Sequence, residues 1–391
     1  MSKLPREAKL FGFVSLLNDF ASEMIYPLLP TFVTSVLGAG AGALGALDGA
    51  ADFAATFVKY GAGRLADRPA RRGPLIVLGY AIAVAVRPII AVTAAAWQVI
   101  ALRVVDRVGK GIRTPPRDAL IADVTPPELK GRAFGLQRGM DHAGAVLGPL
   151  AAWTLLQYGA DVRRVIVASI VPGVAVLVLA TWAVRGGKGR EGAVAAPSQV
   201  PPSPARSRPL PPALLAVIAF YLLRMPETLV ILRAQQLGVP VAVVLLLWAA
   251  LHVVRSASSF AGGALNDRIG APRTMWFGWL CYALVAGGFA LAGSSLAAWL
   301  LFLAFGLVAG FTEAPERALV SRLAGTHQGT GFGNYYAWTG LAALAGGVSL
   351  GVLYQRGGAV PAFGLSAAAG ALLALLWPFL ARPHRVPTAL S

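Results

Sequence analysis

Two carboxylates lie four residues apart in the apolar stretch "LLNDFASEMIYPLLP" (16–30), and such a pair is able to bind and release protons. Asp19 and Glu23 fall on one face of a helix at this spacing. Pro27 and Pro30 interrupt the helix and favour a bend towards a cavity. Because burial favours a protonated carboxyl and a nearby cation favours the carboxylate, we predict proton coupling at Asp19 and Glu23. Direct solute contact and a static ion pair are the alternatives.

A second stretch, "RVVDRVGKGIRTPPRD" (103–118), holds five cations and two carboxylates beside an apolar run. On a straight helix at about 100° per residue, these charges share an arc of about 140°. Each ion facing lipid at mid-membrane would cost roughly 2.5–3.5 kcal/mol, so the arc must face the protein interior or water. Pro115 and Pro116 are expected to break the helix geometry near its end.

These charges favour a solute cavity inside the protein, and ion pairs that merely hold helices together are the alternative. Charged residues elsewhere in the chain are also expected to face the protein interior, because they too interrupt apolar stretches. The residues predicted to line the cavity are Arg103, Asp106, Arg107, Lys110, Asp52, Arg224, Glu227 and Glu313.

The elements that position these charges are membrane helices. Of the 391 residues, 57% are hydrophobic and 13% are charged, whereas soluble domains carry about 25% charged residues. Apolar blocks of about 18 residues or more recur along the chain, and each is long enough to cross a hydrocarbon core about 30 Å thick. Irregular backbone cannot face lipid, so the blocks are helices. The twelve predicted spans are 10–36, 43–62, 74–95, 97–120, 133–158, 164–184, 212–235, 240–262, 274–294, 297–320, 331–354 and 359–381.

The net charge is +17, and the basic residues occur mainly in every second connection between the spans. This distribution is typical of membrane proteins whose basic connections lie in the cytoplasm, and it predicts that both termini are cytoplasmic. No basic patch is interleaved with aromatic residues, which argues against a nucleic-acid partner. The basic N-terminus resembles a signal peptide, but Asn18, Asp19 and Glu23 interrupt the apolar run, so we interpret it as a retained first span.

The two halves of the chain repeat each other. "GRLADR" (63–68) matches "GALNDR" (263–268) at an offset of 200 residues, and "PRDALIAD" (116–123) matches "PERALVSR" (315–322) at an offset of 199 residues. His252 aligns with Asp52 at the same offset and is expected to be a hydrogen-bonded structural histidine. In-order matches at nearly one offset indicate a duplicated six-helix unit.

A polar stretch rich in proline and serine separates the two repeats. It covers residues 185–211, and its composition is typical of a flexible linker. We therefore predict an N-terminal six-helix bundle at 1–184, a cytoplasmic linker at 185–211 and a C-terminal six-helix bundle at 212–391.

The connection "GRLADRPARR" (63–72) resembles the glycine, aspartate and basic loop signature of the major facilitator superfamily, and residues 263–273 resemble its second copy. "GAVLGP" (144–149) is similar to the glycine and proline motif of the drug/proton antiporter branches, and "RVGKG" (107–111) resembles the fourth-span arginine motif. The resemblance covers essentially the whole chain.

The resemblance implies an all-α membrane protein with twelve transmembrane helices in two six-helix bundles. It also implies that an acid and its basic neighbours lock the cytoplasmic ends of the two bundles together. The implied gate residues are Gly63, Asp67, Arg68, Arg71, Arg72, Asp267 and Arg268, and the implied helix-packing residues are Gly144, Gly148 and Pro149.

The predicted function is secondary active transport by alternating access, as proton-coupled export of a small organic solute by a monomer in the bacterial inner membrane. Uptake or facilitated transport of an anionic metabolite is the alternative, because the fourth span is cationic. A membrane-embedded enzyme that modifies lipids is a distant alternative. Four histidines and one cysteine form no metal or nucleophile constellation, so no catalytic residue, metal or cofactor is expected.

Overall fold

The computed structural model describes residues 4–29, 32–38, 42–187, 211–239 and 241–381, and these ranges are helical almost throughout. The predicted linker lies outside the described residues from 188 to 210. The sixth span ends at Gly187, three residues beyond the predicted end of the first bundle.

The helices follow the order of the twelve predicted spans. In the first half they are Arg6–Glu23 (followed by the short turns Tyr26–Leu28 and Phe32–Val36), Gly42–Ala66, Pro69–Ile89 (continued by Ile90–Val92), Ala96–Val124, Lys130–Gln157, and Val162–Ala168 with Ile170–Gly187. In the second half they are Pro212–Leu223 with Glu227–Gln236, Val241–Ile269, Ala271–Leu291, Ser295–Ala324, Gln328–Gly357 and Ala359–Leu380. We number these spans from one to twelve.

Six helical stretches within the described residues are long and apolar enough to cross a membrane by length and composition alone. They are Pro69–Val92, Val162–Arg185, Ala271–Leu291, Ser295–Ala324, Gln328–Gly357 and Ala359–Leu380. The first and seventh spans are each broken into shorter pieces, and the fourth carries the charged arc. A criterion based on hydropathy alone therefore misses the spans that carry charged residues inside the bundle.

Each half is a bundle, and the two bundles touch along two main seams. In the first half, the fifth span packs on the first and the fourth packs on the second and third. The second half repeats this order, because the tenth span packs on the eighth and ninth. The fifth span meets the eighth, and the second span meets the eleventh. The basic end, as we call it, is the end at which residues 66–69, 124–130, 269–271 and 324–328 connect the spans.

The first, fourth and seventh spans each contain proline, and the helix is interrupted in the first and seventh but not in the fourth. The first span leaves α-helical geometry after Glu23, as the sequence predicts, and the seventh is interrupted between Leu223 and Glu227. The expected break at Pro115 and Pro116 is wrong, because one helix runs from Ala96 to Val124. Both prolines are buried inside the bundle, and the helix continues through them without a break.

Candidate functional site

Two matched hydrogen-bonded contacts join the halves at the basic end, and we call them the interlocks. In the first, the backbone N–H of Thr330 donates to Asp67 Oδ1 at 3.0 Å, and the Thr330 hydroxyl donates to the other carboxylate oxygen. In the second, the backbone N–H groups of Gly131 and Arg132 donate to the two oxygens of Asp267 at 2.8 Å and 3.0 Å. Each carboxylate thus caps the start of a helix in the opposite half, where N–H groups are free and the helix dipole is positive.

Glycines allow the two backbones to touch beside each interlock. A Cβ atom at Gly63 would lie 2.5 Å from the Gly329 carbonyl oxygen, and one at Gly263 would lie 2.9 Å from the Gly135 Cα. No real side chain fits at such distances. The two seams therefore close the basic end by direct backbone contact.

The basic residues of the predicted gate do not contact Asp67. The side chains of Arg68, Arg71 and Arg268 are exposed. Arg72 is buried and pairs with Asp123 of its own half, while its Nε donates to the Ala66 carbonyl at 2.6 Å. Helix N–H groups are therefore the hydrogen-bond donors to both acids of the gate, and Arg132, which the sequence did not single out for the gate, lies with its Nε 3.5 Å from Asp267 Oδ2.

A second layer of ionic contacts crosses between the halves closer to mid-bundle. Arg138 forms ion pairs with Asp141 of its own helix and with Glu313 of the opposite half. Asp118 accepts a hydrogen bond from the Tyr336 hydroxyl, and its Oδ2 lies 3.6 Å from Arg317 Nε. Glu313, predicted to line the cavity, is thus engaged in a contact between the halves.

Two of the predicted cavity residues lie in a buried ion network of the first half. Asp106 accepts from Arg87 Nε at 3.0 Å and from Arg103 Nη1 at 3.3 Å, and these three residues are 3–6% exposed. Arg87 Nη1 also donates to the Asn18 carbonyl at 3.2 Å, which ties the third and fourth spans to the first. Sequence reasoning missed Arg87, although a single cation inside "IAVAVRPII" (82–90) is a signal for an interior role.

The predicted proton-coupling pair lies beside the water-accessible part of the fourth span. Asp19 accepts from the Asn18 amide at 3.0 Å, and Lys110 and Asp141 are among the charges that act on it. Lys110 is also the foremost charge acting on Glu23, and its own side chain is exposed. Among the described side chains, neither Glu23 nor Lys110 forms an ion pair. Arg107 lies one turn from Lys110 and is half-buried, and the side chain of Asp52 is outside the described part of the chain.

The second half holds its interior carboxylate with two arginines. Glu227 Oε1 lies 2.6 Å from Arg255 Nη2 and 3.5 Å from Arg224 Nη2. The Arg255 guanidinium also lies 5.8 Å from the Trp248 ring centre and 5.7 Å from that of Phe305. The Glu227 side chain is 34% exposed although it lies between the spans, so water reaches this part of the interior. Sequence reasoning singled out Arg224 and Glu227 but not Arg255.

The predicted packing motif lies against the first span. A Cβ atom at Gly144 would collide with the Leu16 carbonyl oxygen, and one at Gly148 would lie 2.7 Å from the Phe20 carbonyl oxygen. Pro149 continues the same helix, which runs from Lys130 to Gln157. The small residues therefore place the fifth span directly against the helix that carries Asp19 and Glu23.

Comparison with known proteins gives matches along most of the chain. The family model described as Major Facilitator Superfamily matches residues 11–338. An uncharacterized MFS-type transporter of Methanocaldococcus jannaschii, MJ1317, is 28% identical over 377 residues, covering 90% of this chain and 89% of that one. The multidrug resistance protein MdtH of Photorhabdus laumondii is 31% identical over 146 residues, which cover 37% of this chain and 36% of MdtH.

Solved structures share the same fold at low sequence identity. The crystal structure of the human organic anion transporter MFSD10 (TETRAN) superposes with a TM-score of 0.78 at 15% identity, covering 95% of this chain and all of that one (100%). The proton:xylose symporter XylE gives a TM-score of 0.74 at 15% identity, covering 96% and 95% of the two chains.

Proposed function

The chain belongs to the major facilitator superfamily, and from that premise we propose that it exports a small organic solute in exchange for protons. Membership of this family makes it an integral membrane transporter with two six-helix bundles rather than an enzyme, which removes the lipid-modifying alternative. The single observation that carries the proposal is the placement of Asp19 and Glu23 beside the exposed Lys110, inside a bundle whose basic end is closed.

Proton exchange at this place has a physical basis in the charge arrangement. Among the described side chains, no arginine forms an ion pair with Asp19 or Glu23 of the kind that holds Glu227, so protonation of either carboxylate breaks no such pair. Lys110 is a cation that acts on both carboxylates, and its side chain is exposed. A change in its distance from the carboxylates as the halves move would shift the proton between bound and free states.

Orientation follows from the distribution of charge. We place the basic end in the cytoplasm, together with both termini and the linker at 185–211, because lysine and arginine favour cytoplasmic connections. A bacterial inner membrane suits this arrangement. With its basic end closed, the molecule would then face outward, and rocking of units 1–184 and 212–391 would have to break both interlocks to reach the inward-facing state.

Export is the direction we favour within this mechanism. The glycine contacts at Gly144 and Gly148 are of the kind associated with drug/proton antiporters, and the partial match to MdtH is to a multidrug resistance protein. The interlocks and the charged interior all lie within one chain, so we propose that the monomer is the working unit.

Transport of an anionic metabolite is the second candidate. It is favoured by the cationic character of the fourth span, which carries five cations and two carboxylates between residues 103 and 118. The structural match to the human organic anion transporter MFSD10 is consistent with such a solute but shows only a shared fold.

A solute screen in proteoliposomes tests both candidates. Purified protein is reconstituted with a pH-sensitive dye inside the vesicles, a proton gradient is imposed, and solutes of each charge class are added in turn. Proton movement opposite to solute movement supports the exchange proposed here. Transport of an anionic solute without any proton movement would support the second candidate. Proton movement in the same direction as the solute would mean that the protein is a symporter and not an exchanger.

A further inference from the structure

Two buried histidines face each other across the seam between the halves. His142 lies on the fifth span and His252 on the eighth, 110 residues apart in the chain. Their Nδ1 atoms are 3.3 Å apart, with ring centres at 5.3 Å and ring planes tilted by 52°. Both residues are at least nine-tenths buried, at 5% and 8% exposure. The facing nitrogens therefore form a small polar site on the seam between the fifth and eighth spans.

We propose that His142 and His252 bind a zinc-class divalent transition-metal ion that bridges the two halves. Zinc binds imidazole nitrogen at about 2.0–2.1 Å, so two such ligands at a tetrahedral angle have nitrogens about 3.3–3.4 Å apart. The observed distance of 3.3 Å between the two Nδ1 atoms already matches this distance between ligand nitrogens. The two imidazoles are the protein ligands, and water completes the coordination shell.

The second nitrogen of His142 is arranged as it is in metal sites. Its Nε2 is buried without a hydrogen-bond partner, and the nearest acidic atom is Glu313 Oε2 at 3.9 Å. Histidines that bind metal through one nitrogen commonly donate the other N–H to a carboxylate, which fixes the tautomer. A shift of less than about 1 Å would complete that hydrogen bond, since N–H to O contacts lie near 2.9 Å.

The surrounding charges allow a divalent ion. Arg138 and Arg255 act on both imidazoles, and so does Glu313, while Glu227 acts on His252. The two carboxylates offset the formal charge of the two arginines around the pair of imidazoles. Imidazole is a suitable ligand for zinc, copper, iron and nickel, whereas magnesium and calcium prefer oxygen. The site should therefore discriminate zinc from magnesium.

Metal binding at this place would restrain the transport cycle. His142 lies about 18 Å along the fifth span from its start at Lys130, which places the bridge near mid-bundle, well above the interlocks. Rocking of the halves must change the distance between the two imidazoles. A metal bound to both imidazoles would hold the halves in the arrangement described here. Zinc would therefore inhibit the movement of the halves that transport requires.

The test uses the full-length protein in detergent and compares matched pairs of histidine variants. The chain has four histidines, so His142→Gln with His252→Gln removes the proposed ligands, and His327→Gln with His384→Gln removes the other two. Thermal unfolding is measured with increasing Zn²⁺, and with Mg²⁺ as the control ion. Zn²⁺ should raise Tm of the wild type and of the His327/His384 variant in a saturable way, and Mg²⁺ should not. In the His142/His252 variant the apparent zinc affinity should fall at least about ten-fold.

A distance measurement decides whether the metal bridges the halves. Spin labels are placed at Tyr158→Cys and Leu291→Cys, which are 87% and 85% exposed and lie in opposite halves, in a Cys281→Ser background. Zn²⁺ should narrow the distance distribution, and His142→Gln or His252→Gln alone should abolish the narrowing. An equal zinc shift in the His142/His252 variant, or a distribution that zinc leaves unchanged, would overturn the proposal. Neither readout depends on transport, so the result is independent of the proton-exchange proposal.

Discussion

The two halves carry an interior carboxylate at related places but treat it differently. In the second half, Glu227 is held by Arg255 at 2.6 Å and by Arg224 at 3.5 Å. In the first half, Asp19 accepts one amide hydrogen bond, and Glu23 has no ion pair among the described side chains. A carboxylate in ion pairs with two arginines stays ionised, whereas a carboxylate that forms no ion pair among the described side chains is freer to exchange a proton. Under the proposed function, Glu227 is the fixed charge of this pair of related places, and the exchangeable charge lies at Asp19 or Glu23.

The interlocks, in contrast, remain symmetric. Asp67 and Asp267 each cap a helix of the opposite half with two hydrogen bonds, and glycines flank both contacts. Closure of the basic end needs equal support on both sides of the axis that relates the halves. The interior has no such requirement, because the proposed function needs a proton site in only one half. The difference indicates that the two levels of the molecule serve different purposes.

The largest expected effect is the loss of proton-driven transport on removing the exchangeable charge. With Asp19→Asn, accumulation of solute under a pH gradient of about one unit should fall about ten-fold, to the level reached when no pH gradient is imposed. Exchange of solute between equal pools should continue, since the variant can still change conformation. The control is Glu128→Gln, whose side chain is exposed in the turn Pro127–Leu129. If Asp19→Asn and Glu23→Gln both still concentrate solute, the coupling site is elsewhere.

The fixed carboxylate should matter more for stability. Glu227→Gln leaves Arg224 and Arg255 without their shared anion, which should cost roughly 1–2 kcal/mol, since the side chain is partly exposed to water. Tm in detergent should fall by a few degrees. Glu23→Gln removes no ion pair seen among the described side chains and should leave Tm nearly unchanged. Equal losses in the two variants would remove the asymmetry between the halves.

The symmetric interlocks should respond equally to equal changes. Asp67→Asn and Asp267→Asn each weaken one helix cap by about 1 kcal/mol, which corresponds to a roughly five-fold shift towards an open basic end. Distances between spin labels on the exposed positions Arg71 and Arg268 should lengthen to a similar extent in both variants. A response from only one of them would mean that a single seam holds the basic end closed.

The smallest effect concerns access of water to the fourth span. In a Cys281→Ser background, Lys110→Cys should react with a small hydrophilic maleimide, because this side chain is exposed inside the bundle. Leu120→Cys on the same helix should react slowly, because Leu120 is 1% exposed. Comparable labelling rates at the two positions would mean that water does not preferentially reach the charged arc.

The sequence was sufficient to predict the parts of the molecule that follow from local rules. Hydropathy, the repeat and the loop signature predicted the twelve spans and placed Asp67 and Asp267 at the basic end, and the proline pattern predicted the bend after Glu23. The expected break at Pro115 and Pro116 was wrong, because a local proline rule does not take account of the packing of this buried helix segment.

The sequence did not predict which residues far apart in the chain pair with each other. Arg138 pairs with Glu313 across 175 residues, and Asp118 meets Tyr336 across 218. No spacing rule connects such positions, because they depend on how the bundles pack. The sequence therefore left open whether each interior charge lines a cavity or pairs with another charge, and the structure shows Arg103 and Asp106 paired in the buried network.

The most direct test of the asymmetry is infrared difference spectroscopy of the purified protein between about pH 8 and pH 6. Exposed carboxylates, with pKa values of about 4, remain ionised over this range, so only interior groups change. The C=O stretch of a protonated carboxyl should appear at the lower pH in the wild type and in Glu227→Gln, and it should be lost or reduced in Asp19→Asn or Glu23→Gln. A band that disappears in Glu227→Gln, and persists in both first-span variants, would contradict the account.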